Sequence, residues 1–77
     1  MATYKAALET QENYESYMKI GDCLSKKESY IEALLNYKEA LNLKKTSEVY
    51  AKIALMYEYK SDCNKAIESY TLALSLI

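Results

Sequence analysis

The chain has 77 residues, with ten Lys against eleven Asp plus Glu and no His, Pro, Trp or Phe. That length holds one small domain, the near-zero net charge offers no basic field to nucleic acid or an anionic membrane, and the missing imidazole removes the usual general base near neutral pH. With 51% hydrophobic and 27% charged residues, the chain is expected to be globular and not disordered.

The sequence repeats internally. Residues 4–43 align on 37–76 with fourteen identities, where roughly four arise by chance from so narrow a composition. Tyr4, Tyr37 and Tyr70 are evenly spaced, and the same interval separates Ala7, Ala40 and Ala73, and Leu8, Leu41 and Leu74. Within each period the apolar residues follow helical spacing, so each period reads as a helix pair.

Taken in chain order, the predicted helices span 2–11, 14–26, 30–43, 47–60 and 63–76. Tyr4, Ala7 and Leu8 mark the first. Tyr17, Ile20 and Leu24, three and four apart, mark the core stripe of the second, and Tyr30, Ala33 or Leu34, Tyr37 and Ala40 or Leu41 that of the third. The starts recur as well. Asn13 and Thr46 precede one helix of each period and Ser29 and Asp62 the other, residue types that accept hydrogen bonds from the free N–H groups of a helix start. Ser29 with Glu32 has capping-box spacing, whereas Asp62 has Lys65 at that place.

The stretch Tyr17, Ile20, Gly21, Leu24, Ala33, Tyr37, Ala40, repeated as Tyr50, Ile53, Ala54, Tyr57, Ala66, Tyr70, Ala73, resembles the tetratricopeptide repeat. That family sets Trp, Leu-Gly and Tyr on the first helix and Ala, Phe and Ala on the second. The resemblance implies an all-α solenoid of antiparallel helix hairpins with about five helices in a single domain. Residues 2–12 would be the second helix of a preceding partial repeat, followed by repeats at 13–45 and 46–77. Three departures stand out: a period of 33 and not 34, no proline closing the second helix, and Ala54 where the other copy has Gly21.

In that family the first helices line a concave groove, and the resemblance places Glu15, Met18, Asp22, Ser25 and Lys26 there, then Glu48, Ala51, Leu55, Glu58 and Tyr59. The spacing of Glu15, Met18, Asp22 and Ser25 independently puts them on one side of a helix, off the Tyr17, Ile20, Leu24 stripe. An apolar floor of Met18, Ala51 and Leu55 inside a carboxylate-rich rim would complement a peptide or partner protein with apolar anchors and basic flanks. Groove repeats that clamp the acidic tails of heat-shock chaperones present Lys and Asn; here Met18, Asp22, Ala51 and Leu55 stand at those places, so the clamp is absent. Glu15 with Lys19 and Glu48 with Lys52 have the spacing of favourable helical ion pairs, worth ~0.2–0.5 kcal/mol each. Of the nine tyrosines, Tyr14 and Tyr59 fall outside the register and are expected at the surface.

The last helix supplies a different reading. Tyr70, Leu72, Leu74, Leu76 and Ile77 form an apolar end that could pair with a second copy as a homodimer or stack end to end. No catalysis, cofactor or metal is expected. There is no Gly-rich phosphate loop, a zinc site needs about four ligands, and Cys23 and Cys63 read as two free, buried thiols. Without an apolar run near the ~20 residues that span a bilayer, the chain reads as soluble, intracellular and cytoplasmic, binding neither membrane nor nucleic acid.

Overall fold

The computed structural model describes residues 2–77, with side chains from Thr10 onward. The regular structure of these residues is entirely helical: α1 (Ala2–Lys26), α2 (Tyr30–Leu43), α3 (Ser47–Tyr59) and α4 (Cys63–Ser75). The helices pack in adjacent pairs, α1 on α2 and α3 on α4, with α2 against α3 joining the pairs. The assembly measures 46 × 29 × 13 Å, and its least dimension is the depth of two helices packed ~8–10 Å apart.

At the amino end the structure differs from the expected pair of helices at 2–11 and 14–26. One continuous helix runs through both, and Asn13 lies within it, not at a cap. No Pro or Gly interrupts residues 2–20, so a break there would sacrifice backbone hydrogen bonds that only packing of a folded-back segment could offset. The expected packing of Tyr4, Ala7 and Leu8 falls on side chains outside those described.

The two turns within the pairs are built alike. Glu28 and Ser61, one period apart, both adopt the left-handed conformation with φ of 64°. In each turn this residue donates its N–H three residues back, to Ser25 and Glu58 respectively. The following residue donates five residues back: Ser29 to Leu24 at 2.9 Å and Asp62 to Tyr57 at 2.8 Å. Such paired bonds satisfy the last carbonyls of a helix. The same residue then stands as the N-cap of the next helix, so three residues end one helix and start another.

A side chain at positive φ costs about 1–2 kcal/mol, a strain that glycine avoids. Glu28→Gly and Ser61→Gly are each expected to stabilise the fold by about 0.5–1 kcal/mol, less the extra entropy of the unfolded glycine. Chemical denaturation of the single and double variants checks this; a lowered midpoint would mean that the Glu28 or Ser61 side chain contributes more than its strain.

The expected caps divide. Thr46 accepts from the Val49 N–H at 3.2 Å and Asp62 from the Lys65 N–H at 3.3 Å. Ser29 makes no side-chain cap bond among the described residues, so the Ser29–Glu32 capping box does not form. Thr46 is held further by the Tyr14 hydroxyl at 2.7 Å, which ties α1 to the α2–α3 turn.

The core gathers Tyr14, Met18, Ala33, Leu34, Tyr37 and Ala40 with Val49, Ile53, Met56, Tyr57 and Ala66. The small alanines at 33, 40 and 54 are fully buried, allowing close approach of helix backbones. Three sequence expectations reverse. Tyr14 is buried, not superficial; Ile20 is 47% exposed although it belongs to the expected core stripe; and Cys23 and Cys63 are free but exposed. Ile53, the repeat equivalent of Ile20, is 4% exposed, because α3 has a helix on either side whereas α1 packs chiefly on α2.

Candidate functional site

α1 and α3 flank one face of the molecule, where two adjoining hollows share Asp22. The first, about 450 Å³, lies among Tyr14, Glu15, Met18, Lys19 and Glu48, with Gln11 at its edge. The second, about 240 Å³, lies among Ser25, Lys26, Lys52, Leu55, Met56 and the edge of Tyr37. Seven of the ten expected groove residues therefore come together: Glu15, Met18, Asp22, Ser25, Lys26, Glu48 and Leu55.

The other three sit differently. Ala51 is half-buried and lines neither hollow. Tyr59 stacks on Tyr30 with ring centroids 4.6 Å apart and an interplanar angle of 15°, at the far end of α3. Glu58 lies near the Tyr70 hydroxyl and, second to burial, helps to raise its pKa. Met18, expected as an open floor, is 6% exposed and belongs to the core. The apolar contribution to the hollows thus rests mainly on half-buried Leu55.

Asp22 is the most engaged polar group on this face. Its carboxylate accepts from the Tyr37 hydroxyl at 2.5 Å and pairs with the Lys52 ammonium at 3.2 Å, linking α1, α2 and α3. Lys52 is therefore bound to Asp22 and not, as its spacing suggests, to Glu48. Glu15 accepts from the Gln11 side chain at 2.8 Å and not from Lys19. Helical spacing allows an i,i+4 pair, but a cross-helix carboxylate already held against a tyrosine has the stronger local field.

Tyr37 stands where it does because residue 21 is glycine. A Cβ on Gly21 would lie 2.6 Å from the Tyr37 ring, so the ring passes over the bare backbone and delivers its hydroxyl to Asp22. Burial first, and then the hydrogen bond to Asp22, raises the Tyr37 pKa well above its ordinary value of 10.0. In the second pair Ala54 occupies the place of Gly21 and Tyr70 that of Tyr37. The Tyr70 hydroxyl reaches Glu58, four residues beyond Ala54, and burial and that carboxylate raise its pKa as well. Burial, then the charge of Glu28, raises that of Tyr30.

The charges on this face are balanced, contrary to the carboxylate-rich rim read from the sequence. Glu15, Asp22 and Glu48 meet Lys19, Lys26 and Lys52, long side chains that reach the same hollows. With Asp22 neutralised by Lys52, one end keeps Glu15 and Glu48 against Lys19, and the other keeps Lys26. On the opposite face a hollow of about 470 Å³ lies between α2 and α4 over Tyr50, Ile53 and Tyr57. Sequence reasoning passed over it because those tyrosines read simply as core.

Among the described residues no group of three or more His, Cys, Asp or Glu is placed to hold a metal ion, and no described helix is long and apolar enough to cross a membrane. Neither a protein-family model nor a curated protein matches the chain.

Proposed function

We propose that the chain is a non-catalytic interaction scaffold of the tetratricopeptide type, a short solenoid that takes a peptide or a segment of a partner protein along the α1/α3 face. The observation that carries this reading is the pair of adjoining hollows, built from repeat-equivalent helices, with an apolar contact at Leu55 and free charges at separated ends. An elongated ligand fits two hollows in line better than a compact one fits either. Glu48, with Glu15 held only by the Gln11 amide, favours a basic group at one end, and Lys26 favours an acidic group or a chain-terminal carboxylate at the other.

Selection from a displayed random-peptide library on the whole protein tests the reading. Ligands are expected with a basic residue, an apolar anchor and an acidic end. Glu48→Lys and Lys26→Glu, neither of them buried, should each weaken binding about five- to tenfold. Selected peptides indifferent to both reversals and to Leu55→Glu would place the binding surface elsewhere.

A further inference from the structure

The hollow of about 470 Å³ between α2 and α4 has α3 as its floor, and the turns fix the order of residues along it. Tyr57 stands close before the α3–α4 turn and Lys65 close after it, whereas Leu41 and Tyr50 flank the α2–α3 turn. Neighbouring helices run antiparallel, so Leu72, two turns beyond Lys65 on the same face of α4, comes toward the Tyr50 end. One end of the hollow is therefore built of Lys38, Tyr57 and Lys65, and the rest of Leu41, Tyr50, Ile53 and Leu72.

At the first end the charge is unbalanced. The Lys38 ammonium lies 6.0 Å and the Lys65 ammonium 5.7 Å from the centroid of the Tyr57 ring. Two like charges gather on one ring, and neither has a carboxylate within ion-pair distance; among the described residues Lys52 with Asp22 meets that distance. Glu68 stands at the lip, exposed beside the buried Ser69. Ser69, one turn beyond Lys65, is 8% exposed and lines the same hollow. The hydroxyls of Thr71 and Ser75 donate back to carbonyls of their own helix at 2.7 and 2.6 Å, the usual recourse of a helical hydroxyl. That of Ser69 makes no hydrogen bond among the described residues and stays open to the hollow, although a buried polar group is costly when unpaired. The repeat does not demand this set: the first pair has Leu24, Glu32 and Asn36 at the places of Tyr57, Lys65 and Ser69.

We propose that this hollow is a second binding site, for a small organic anion with a carboxylate head and an apolar body. The head sits between the Lys38 and Lys65 ammoniums and accepts from the Ser69 hydroxyl, and the body runs toward Ile53 and Leu72. An anion between the two ammoniums pairs both and offsets their mutual repulsion, and a charge-assisted bond gives the Ser69 hydroxyl the partner it lacks. The volume falls in the range of small-ligand sites, about 300–1,000 Å³. The site shares no residue with the two hollows of the α1/α3 face.

Octanoate titrated into the whole protein and followed by backbone amide NMR tests this, with octanol as the neutral counterpart of equal chain length. Saturable shifts are expected at Tyr57, Lys65, Ser69 and Leu72, with octanol bound at least about tenfold more weakly. Lys38→Gln and Lys65→Gln, at exposed positions, should each weaken octanoate about five- to tenfold with helicity unchanged. Ser69→Ala, which adds no bulk, should weaken it about threefold or more. Lys26→Glu on the α1/α3 face and Leu74→Lys on the far side of α4 should leave it unaltered. No saturable shift, octanol bound as well as octanoate, indifference to both lysines, or shifts that gather at Ile67 and Leu74 instead would each overturn the proposal.

Discussion

Tyr37→Ala is expected to remove a large part of the chain's stability at 25 °C. Removing a fully buried aromatic side chain costs about 3–5 kcal/mol, and a domain of this length has roughly 4–12 kcal/mol in all. Tyr37 is 1% exposed at the junction of α1, α2 and α3, so the cavity opens where the pairs meet and cannot be filled by one helix shifting. Tyr37→Phe keeps the ring and loses only the bond to Asp22, which retains Lys52 and water; about 1 kcal/mol is expected. Circular dichroism and denaturant midpoints separate the two. A folded Tyr37→Ala protein of near-native stability would show that the junction contributes little.

The same hydroxyl makes stability fall in alkali. Folded Tyr37 keeps its proton at pH values where the unfolded residue, with a pKa of about 10, has lost it. Unfolding therefore releases a proton, and the contribution is complete below about pH 10 and lost as pH rises toward the raised folded value. The loss from this one group is at most about 1.4 kcal/mol per pH unit, and Tyr30 and Tyr70, shifted in the same direction, add to it. Lysines titrate in this range too, so the informative quantity is the difference from Tyr37→Phe, whose decline between about pH 9 and 11 should be shallower. Parallel declines would remove Tyr37 from the account.

Gly21→Val is expected to destabilise by up to about 3 kcal/mol, although helix propensity alone favours replacing a mid-helix glycine by about 0.5–1 kcal/mol. The Cβ would meet a ring that is buried on its other side and tethered at its hydroxyl, and the branched methyls enlarge the overlap. Gly21→Ala, with the Cβ alone, should cost less, and the effect of either should shrink when Tyr37 is already Leu, since the clash is with the ring. Thermal denaturation of this double-mutant cycle gives the coupling. A Gly21→Val protein as stable as the parent would mean that the ring has room to move as the Ala54 and Tyr70 arrangement suggests it does in the second pair.

Much of the secondary structure follows from local chemistry. The starts at Thr46 and Asp62 bear side chains that accept from the backbone three residues on, and helix ends at 43, 59 and 75 lie within a residue of those read from spacing. Of the positions that line the α1/α3 face, Glu15, Met18, Asp22 and Ser25 were legible from the same spacing, and Lys26, Glu48 and Leu55 from the family resemblance. Glu58 and Tyr59 were not, because the tyrosines that engage them, Tyr70 and Tyr30, lie on neighbouring helices.

Helical periodicity states that residues share a stripe; it does not state whether a neighbour lies over it. Ile20 and Ile53, or Leu34 and Ile67, are equivalent in sequence and opposite in exposure, since each member of a pair meets a different set of helices. Tertiary packing likewise decided that Asp22, and not Glu48, holds Lys52, and that Tyr14 and Met18 turn inward to join the core. Residues 2–26 form one helix and not two, in a stretch where no Pro or Gly interrupts residues 2–20. By itself the sequence determined the helical class, the period of the pattern and two of the four expected caps, because these depend on residues within one or two turns of each other or on self-similarity. Which faces are covered and which charges meet depended on contacts far apart in the chain, and only the packed structure decided them.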